Sequence, residues 1–322
     1  MKRNLALTYV GALVILVVVN FTLPRLMPGD PLTAVFGEEA LVNMTAEMQN
    51  ELAKRFALNK PVGDQFTAYV CSLLRGDLGY SYYFSAPVGA VIFGVLPWTM
   101  LLVGLAIILS TGMGFLLGIE SGFRRGRKMD RFLLWSTMMT AGFPDYFVGI
   151  LLLLFFGVGL KVAPLSGAVT AYSDLSGVAL VLDILRHLYL PLAALVAVRV
   201  PATYLLTRNT VVSTLGDPFI LTARAKGCTE GSIKYLHMGR NSLLPVITST
   251  GLQLANIMTG AVFIEIVFAY PGMGSLLQIA LFSRDYPLMQ GIMLTLAVII
   301  LTVNFLLEIL YTKVDPRIGH AH

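Results

Sequence analysis

Long stretches of apolar residues without charge constrain this chain more than any other feature. Four of them contain no charged side chain: residues 4–24, 78–119, 241–264 and 286–307. A helix needs about 20 predominantly apolar residues to cross the hydrocarbon core of a bilayer. Only helices and closed barrels satisfy their backbone groups in lipid, and the alternation of a barrel strand is lacking. We therefore predict an all-α, polytopic membrane protein.

Two further apolar stretches are each interrupted by one charge, Asp145 in the first and Arg199 in the second. With these included, we predict six transmembrane helices. They lie near residues 5–23, 97–119, 132–158, 187–207, 243–265 and 287–309.

A seventh apolar stretch, 266–283, contains Pro271, Gly272 and Gly274 close together. Proline and glycine interrupt helices, so we interpret this stretch as a loop followed by a short helix at the membrane surface. A topology with seven spans is the alternative.

The distribution of Lys and Arg predicts the orientation of the chain. The segments on one side of the predicted spans, 1–4, 120–131, 208–240 and 310–322, hold 14 of the 23 basic residues. The long segment 24–96 on the other side holds five basic and seven acidic residues. Basic loops stay in the cytoplasm, so both termini are predicted there. The net charge of +5 reflects this topology and requires no nucleic-acid partner.

These patterns divide the chain into three parts. The first transmembrane helix occupies residues 1–23, and a periplasmic segment follows at 24–96. A core of five transmembrane helices occupies 97–322 and includes a long cytoplasmic loop at 208–240. Charged residues make up only 13% of the chain, against about 25% in average soluble domains, so a soluble fold is excluded.

The periplasmic segment contains two predicted helices. In the first, Thr45 is placed to cap the helix, and an apolar stripe recurs every four residues: Met44, Met48, Leu52 and Phe56. Pro61 opens the second helix, which has its own apolar face: Phe66, Tyr69, Val70 and Leu73. The stripes favour packing on the outer mouth of the protein. Docking of an external binding protein is the alternative.

The cytoplasmic loop 208–240 is longer than a simple connection requires. It has small residues at its centre, among them Ala223, Ala225 and Gly227. Small side chains allow a short helix to sit deep in a groove of a partner protein, and Gly227 would end that helix. An interfacial helix lying on anionic lipid is the alternative, because the loop also carries five basic residues.

At this loop the chain resembles a known family. The segments Thr222-Ala-Arg-Ala-Lys-Gly227 and Arg240-Asn-Ser-Leu-Leu-Pro245 are similar to the coupling-loop signature of ABC importer permeases, in particular the dipeptide/oligopeptide/nickel branch. Further segments match in order: Pro28-Gly-Asp-Pro31, Leu58-Asn-Lys-Pro61, Gly76-Asp-Leu-Gly79, Arg284-Asp-Tyr-Pro287 and Asp315-Pro-Arg-Ile318. One departure is that Pro144 is followed by Asp145, where the family usually has a small polar residue.

The resemblance implies a subunit of the bacterial inner membrane. Its partners would be a second permease, two ATPase subunits and a periplasmic or lipid-anchored substrate-binding protein. The second permease would be a related but different chain, as is usual in this branch. The passenger would be a peptide, with nickel or a metal–chelator complex as the alternative. ATP and Mg would bind to the ATPase subunits, and we expect no cofactor on this chain, which lacks a G-x-x-x-x-G-K-[ST] segment. The implied ATPase-coupling residues are Thr222, Ala223, Arg224, Ala225, Lys226 and Gly227.

Five polar residues within or at the ends of predicted spans are candidates to line the pathway: Asp145, Arg199, Gln253, Asn256 and Glu265. Charges inside a membrane are costly and often functional. Each has an alternative role. Asp145 could form an internal ion pair or a cap at a kink, and Arg199 could extend to the interface. Gln253 and Asn256 could join helices, and Glu265 could hold the Pro271–Gly274 loop.

Two other classes of membrane protein would show different sequence patterns: a secondary transporter or channel that works alone, and a membrane-embedded enzyme. The first predicts inverted repeats or a relay of buried charges, and the sequence displays neither. The second requires a nucleophile with its base or a metal cluster, and H-E-x-x-H and G-x-S-x-G are absent. His187 and His237 fall on opposite predicted sides, so they cannot share a metal. We expect no catalytic and no metal-binding residue.

Overall fold

The structure is a computed structural model that describes residues 2–22, 45, 48, 61–81 and 83–314. The described residues form ten α-helices: α1 Lys2–Thr22, α2 Val62–Leu74, α3 Val88–Phe123, α4 Lys128–Ala141, α5 Asp145–Leu152, α6 Gly177–Thr214, α7 Pro218–Ala225, α8 Gly239–Val267, α9 Met273–Phe282 and α10 Tyr286–Val314. Two π-helical segments adjoin them, Leu153–Gly159 after α5 and Ser232–Met238 before α8. A short hairpin precedes α3. Its two strands, β1 Tyr80–Ser81 and β2 Ala86–Pro87, have two residues each and pair antiparallel.

Several helices are long and apolar enough to cross a membrane. Among the described residues these are α3, α6 and residues 286–307 of α10, and the number rises to five when two bent helix pairs are each counted as one span. The apolar part of α1, Leu7–Thr22, is shorter. A polytopic helical membrane protein is therefore confirmed, whereas the count of six spans and the positions of the termini stay predictions.

The predicted single helix over 132–158 is wrong. The chain forms α4 and then α5 with its π-helical continuation, and the axes of these two segments are bent by 102°. The bend lies at Gly142–Pro144, and Pro144 has extended backbone angles in front of α5. Proline has no N–H to donate to the preceding turn, and it pushes the residue before it out of the helical region, so the helix ends and restarts here.

Other helices extend beyond the predicted spans. The helix α3 begins at Val88, so the predicted boundary between 24–96 and 97–322 falls inside a continuous helix. The helix α6 begins before residue 187 and continues past 207. Charge and hydropathy locate the part of a helix that lies in lipid, but intrahelical hydrogen bonds continue wherever the backbone stays helical.

The described residues fall into two compact units. The first comprises residues 1–97 and 272–302, and its core joins the start of α3 to α9 and the start of α10. Asp285 caps α10, because its carboxylate accepts hydrogen bonds from the Leu288 N–H at 3.2 Å and from the Ser81 hydroxyl at 2.6 Å. The Arg284-Asp-Tyr-Pro287 segment is thus a helix start tied to the hairpin.

The predicted apolar face of α2 is confirmed. The ring of Phe21 on α1 packs against Phe66 and Tyr69, with centroids 5.1 and 5.6 Å apart. Asn20 is buried and donates to the Tyr69 hydroxyl at 3.0 Å and to the Gln290 carbonyl at 2.9 Å. The face therefore packs on this chain's own helices.

Two more expectations for local structure are met. The Met48 N–H donates to the Thr45 hydroxyl at 3.4 Å, which is the predicted cap. The rest of that apolar stripe, Met44, Leu52 and Phe56, lies outside the described residues. The stretch 266–283 contains a turn and the ten-residue helix α9, which is too short to span a membrane.

The second unit comprises residues 98–271 and 303–322 and includes most of α3, all of α4 to α8 and the π-helical segments. Its α3 and α6 approach each other closely at three glycines of α3. A Cβ atom built on Gly114 would lie 2.7 Å from the Thr203 Cβ, and one on Gly118 would lie 2.6 Å from the Thr207 Cβ. A Cβ atom on Gly122 would lie 2.8 Å from the Val211 Cβ.

Candidate functional site

The two charges inside predicted spans form an ion pair. The guanidinium of Arg199 on α6 donates to the carboxylate of Asp145 at 2.5 Å, and the side chains are 18% and 16% exposed. Asp145 is the first residue of α5, immediately after the 102° bend. The internal ion pair that was an alternative for Asp145 is therefore present, and Arg199 points to this partner rather than away to the interface.

A third helix closes one side of this pair. A Cβ atom on Gly260 of α8 would lie 2.6 Å from the Asp145 carboxylate oxygen and 2.7 Å from the Arg199 nitrogen. Glycine therefore lets α8 approach the two charged groups without displacing either side chain. The pair joins α5 and α6 directly against the α8 backbone.

The other pathway candidates occupy different positions. The Gln253 amide donates to the Thr203 hydroxyl at 3.1 Å, so it links α8 to α6 in the manner of polar contacts between membrane helices. Glu265 is fully buried and accepts from the Thr99 hydroxyl at 2.7 Å. The side chain of Asn256 lies outside the described residues, so its predicted role is unchanged.

The centre of the 208–240 segment is a short helix, as predicted. Asp217 and Pro218 begin α7, and Gly227 follows its end with a φ of +75°. The Cys228 N–H donates to the Ala223 carbonyl at 3.1 Å, and the Gly227 N–H donates to the Arg224 carbonyl at 2.9 Å. These two bonds define a Schellman cap, which explains the glycine because other residues rarely adopt a positive φ.

The residues of α7 face in two directions. Ile220 and Ala223 are buried, at 0% and 4% exposure, in a core with residues of α3, α6 and the π-helical segment: Ile119, Val211, Ile233 and Met238. On the other side, Leu221 is 56% exposed, and Thr222, Arg224, Ala225 and Lys226 are exposed as well. Of the predicted coupling residues, Ala223 therefore anchors the helix on this chain rather than facing outward.

A buried charged network fixes the helices on which α7 rests. Arg208 of α6 binds the Asp130 carboxylate with two hydrogen bonds, at 2.7 and 2.9 Å. Asp130 is 1% exposed and also accepts from the Ser121 hydroxyl of α3 at 2.5 Å. Tyr204 contacts the same hydroxyl at 2.6 Å. Three helices, α3, α4 and α6, are thereby joined at one carboxylate.

A second ion pair ties the segment after α7 to the end of α3. Lys234 in the π-helical segment donates to Glu120 at 2.7 Å, and the Tyr235 hydroxyl donates to the same oxygen at 2.6 Å. The Lys234 ammonium also lies 5.1 Å from the centre of the Phe123 ring. A cation over an aromatic face adds stabilisation to the pair. The chain on both sides of α7 is therefore held firmly.

Neither network was predicted from the sequence, nor was the close approach of α3 and α6. The glycines at 114, 118 and 122 are spaced by four residues, which is the known signal for closely packed membrane helices and was available in the sequence. The partner of Asp130 could not be found in this way, because Arg208 is 78 residues distant. No group of three His, Cys, Asp or Glu side chains within the described residues could hold a metal ion.

The described residues thus form apolar helices that are joined by ion pairs and carry one short exposed helix, which places the chain among polytopic helical membrane proteins. Residues 110–320 match the model of the family described as "Binding-protein-dependent transport system inner membrane component". This chain belongs to that family, whose members are permease components of ABC transporters and are not themselves enzymes.

Two relatives match almost the whole chain. The di/tripeptide transport system permease protein DppB of Pseudomonas aeruginosa (strain UCBPP-PA14) is 32% identical over 94% of this chain and 93% of its own length. The dipeptide transport system permease protein DppB of Escherichia coli (strain K12) is 30% identical over 97% of this chain and 95% of its own length. The resemblance predicted from the coupling-loop segments is thereby confirmed.

Proposed function

We propose that this chain forms half of the translocation pathway of an ATP-driven peptide importer. The relatives named above are permeases for dipeptides and tripeptides, and they support peptides as the passenger class. A second permease would complete the pathway, and a periplasmic or lipid-anchored binding protein would deliver the peptide. Two ATPase subunits would hold ATP and Mg on the cytoplasmic side.

The observation that carries the proposal is the two-sided character of α7. Its inner face is buried on α3, α6 and the π-helical segment, and its outer face exposes Leu221 and Ala225. A short helix with one face packed on its own protein and the opposite face exposed is suited to bind a partner and to transmit the partner's motion to the helices below it. Closure of the ATPase subunits would displace α7, and α6 and α8 would move with it as rigid bodies.

The proposal is tested by placing a bulky side chain on the exposed face of α7. Ala225→Trp is expected to reduce co-purification of the ATPase subunits with the permease and to lower ATP-dependent peptide uptake by about tenfold or more, a loss of at least ~1.4 kcal/mol. The amount of permease in the membrane should not change, because Ala225 is exposed.

The matched control is Ala68→Trp, the same change at an exposed alanine of α2. It should leave the ATPase subunits bound. Normal ATPase binding and normal uptake in the Ala225→Trp permease would contradict the proposed role of α7.

A further inference from the structure

Both members of the ion pair between Asp145 and Arg199 are partly accessible, with side chains that are 16% and 18% exposed. In the pair of Asp130 and Arg208 the carboxylate side chain is only 2% exposed. A solute that reached the bend between α4 and α5 could contact both members of the accessible pair.

The surroundings of this pair have the character of a binding site. The α8 backbone at Gly260 closes one side, with no room for a Cβ atom. Exposed aromatic side chains occur near the pair. Phe143 and Tyr146, which neighbour Asp145 in the sequence, are 43% and 45% exposed, and Phe263 on α8 is 49% exposed. The rings of Tyr146 and Phe263 lie 6.0 Å apart. The site therefore combines a charged centre with apolar contact surface, as small-molecule sites commonly do.

Asp145 also has unused capacity to accept hydrogen bonds. Its Oδ2 atom binds Arg199, but its Oδ1 atom is buried and accepts no hydrogen bond from the described residues. A buried carboxylate oxygen without a donor is costly. Once Arg199 moves away from Asp145, a ligand with an ammonium group would bind this carboxylate in its place.

The charge balance selects the kind of ligand. A cation that took Asp145 would displace Arg199 from this carboxylate, and an anion that took Arg199 would displace Asp145 from the guanidinium. Leaving one partner of a partly buried pair uncompensated is strongly unfavourable. A zwitterion avoids this cost, because its cationic group pairs with Asp145 while its anionic group pairs with Arg199.

We propose that Asp145 and Arg199 recognise the two charged ends of a peptide, an inference that rests on the peptide importer proposed above. Asp145 binds the terminal ammonium, and Arg199 binds the terminal carboxylate, for which the planar guanidinium is suited. In the absence of peptide the two side chains bind each other, as in the structure. The site would make the permease itself selective for free peptide ends.

The experiment uses the complete importer in proteoliposomes with its binding protein and two probes, L-alanyl-L-alanine and its C-terminal amide. The measured quantity is the ratio of the two ATP-dependent uptake rates, so the selectivity of the binding protein cancels between permease variants. Arg199→Gln is expected to lower the ratio of free peptide to amide by about tenfold, the effect of losing ~1.4 kcal/mol of discrimination. Arg199→Lys keeps the charge and should keep most of the discrimination.

A second variant tests the other end of the peptide. Asp145→Asn should lower the uptake of L-alanyl-L-alanine relative to its N-acetyl derivative. If the Arg199→Gln permease does not assemble, the measurement on Asp145→Asn alone tests the proposed recognition of peptide ends. Equal slowing of both probes in each active variant, with ratios unchanged, would assign the ion pair a purely structural role and overturn the inference.

The two proposals fail differently. Absence of ATP-dependent uptake of any probe by the unsubstituted importer would overturn the proposed function together with this site. Normal uptake by the unsubstituted importer with unchanged ratios in the variants would overturn the site alone.

Discussion

Replacement of Asp130 by alanine is expected to destabilise the permease by about 3–5 kcal/mol, because it leaves a buried positive charge without its partner. The Arg208 side chain is 15% exposed and donates two hydrogen bonds to this carboxylate. Ser121 and the Gly126 N–H would lose an acceptor as well. The measurement is the thermal unfolding midpoint of the detergent-solubilised permease, which should fall clearly below that of the unsubstituted protein.

The control for this prediction is a double variant, Asp130→Ala with Arg208→Met. Removing both charges avoids the uncompensated guanidinium, and replacement of a buried pair by apolar groups is often close to neutral. The double variant should therefore unfold at a higher temperature than Asp130→Ala alone. Additive losses in the double variant would contradict the account of Asp130 as the shared centre of α3, α4 and α6.

Replacement of Gly118 by valine is expected to separate α3 from α6. The first carbon of any side chain would lie 2.6 Å from the Thr207 Cβ and 2.8 Å from the Tyr204 carbonyl oxygen. The second obstacle is backbone, so rotation of a flexible side chain cannot relieve the clash. Overpacking of this kind typically costs about 1–3 kcal/mol, and displacement of a helix adds to it. A lower unfolding midpoint and less assembled importer should result.

The matched control lies on the same helix. Gly112 has nothing within 4 Å of the position of a Cβ atom, so Gly112→Val should leave the unfolding midpoint almost unchanged. Equal effects at the two glycines would show that helix propensity, rather than the contact with α6, determines the result. A stable Gly118→Val permease would contradict the packing of α3 on α6.

The sequence predicted the features that depend on composition over many residues. Uncharged stretches located the helices because the cost of charge in lipid applies to every span. The short helix α7 and its end at Gly227 were predicted for a similar reason, since small residues and a terminal glycine are local signals. The extent of α6 was underestimated, because hydropathy marks the part of a helix in lipid and not the part outside it.

Features that depend on distant partners could not be predicted. Asp145 and Arg199 are 54 residues apart, and nothing in the amino-acid sequence around either residue identifies the other as its partner. Ala223 was taken as part of the docking surface because small residues suit a groove, but the same property lets it pack on this chain's own core. The bend before Asp145 was the intermediate case: a kink near Asp145 was considered only in an alternative role for that residue, and the structure has a 102° break.

The most direct test of the central claim is crosslinking from α7 in the assembled importer. A photoreactive amino acid at Leu221, which is 56% exposed, is compared with the same amino acid at Leu182, which is 61% exposed at the other end of α6. The account predicts a crosslink to an ATPase subunit from position 221 and none to that subunit from position 182. Crosslinks from position 221 to lipid alone would contradict it.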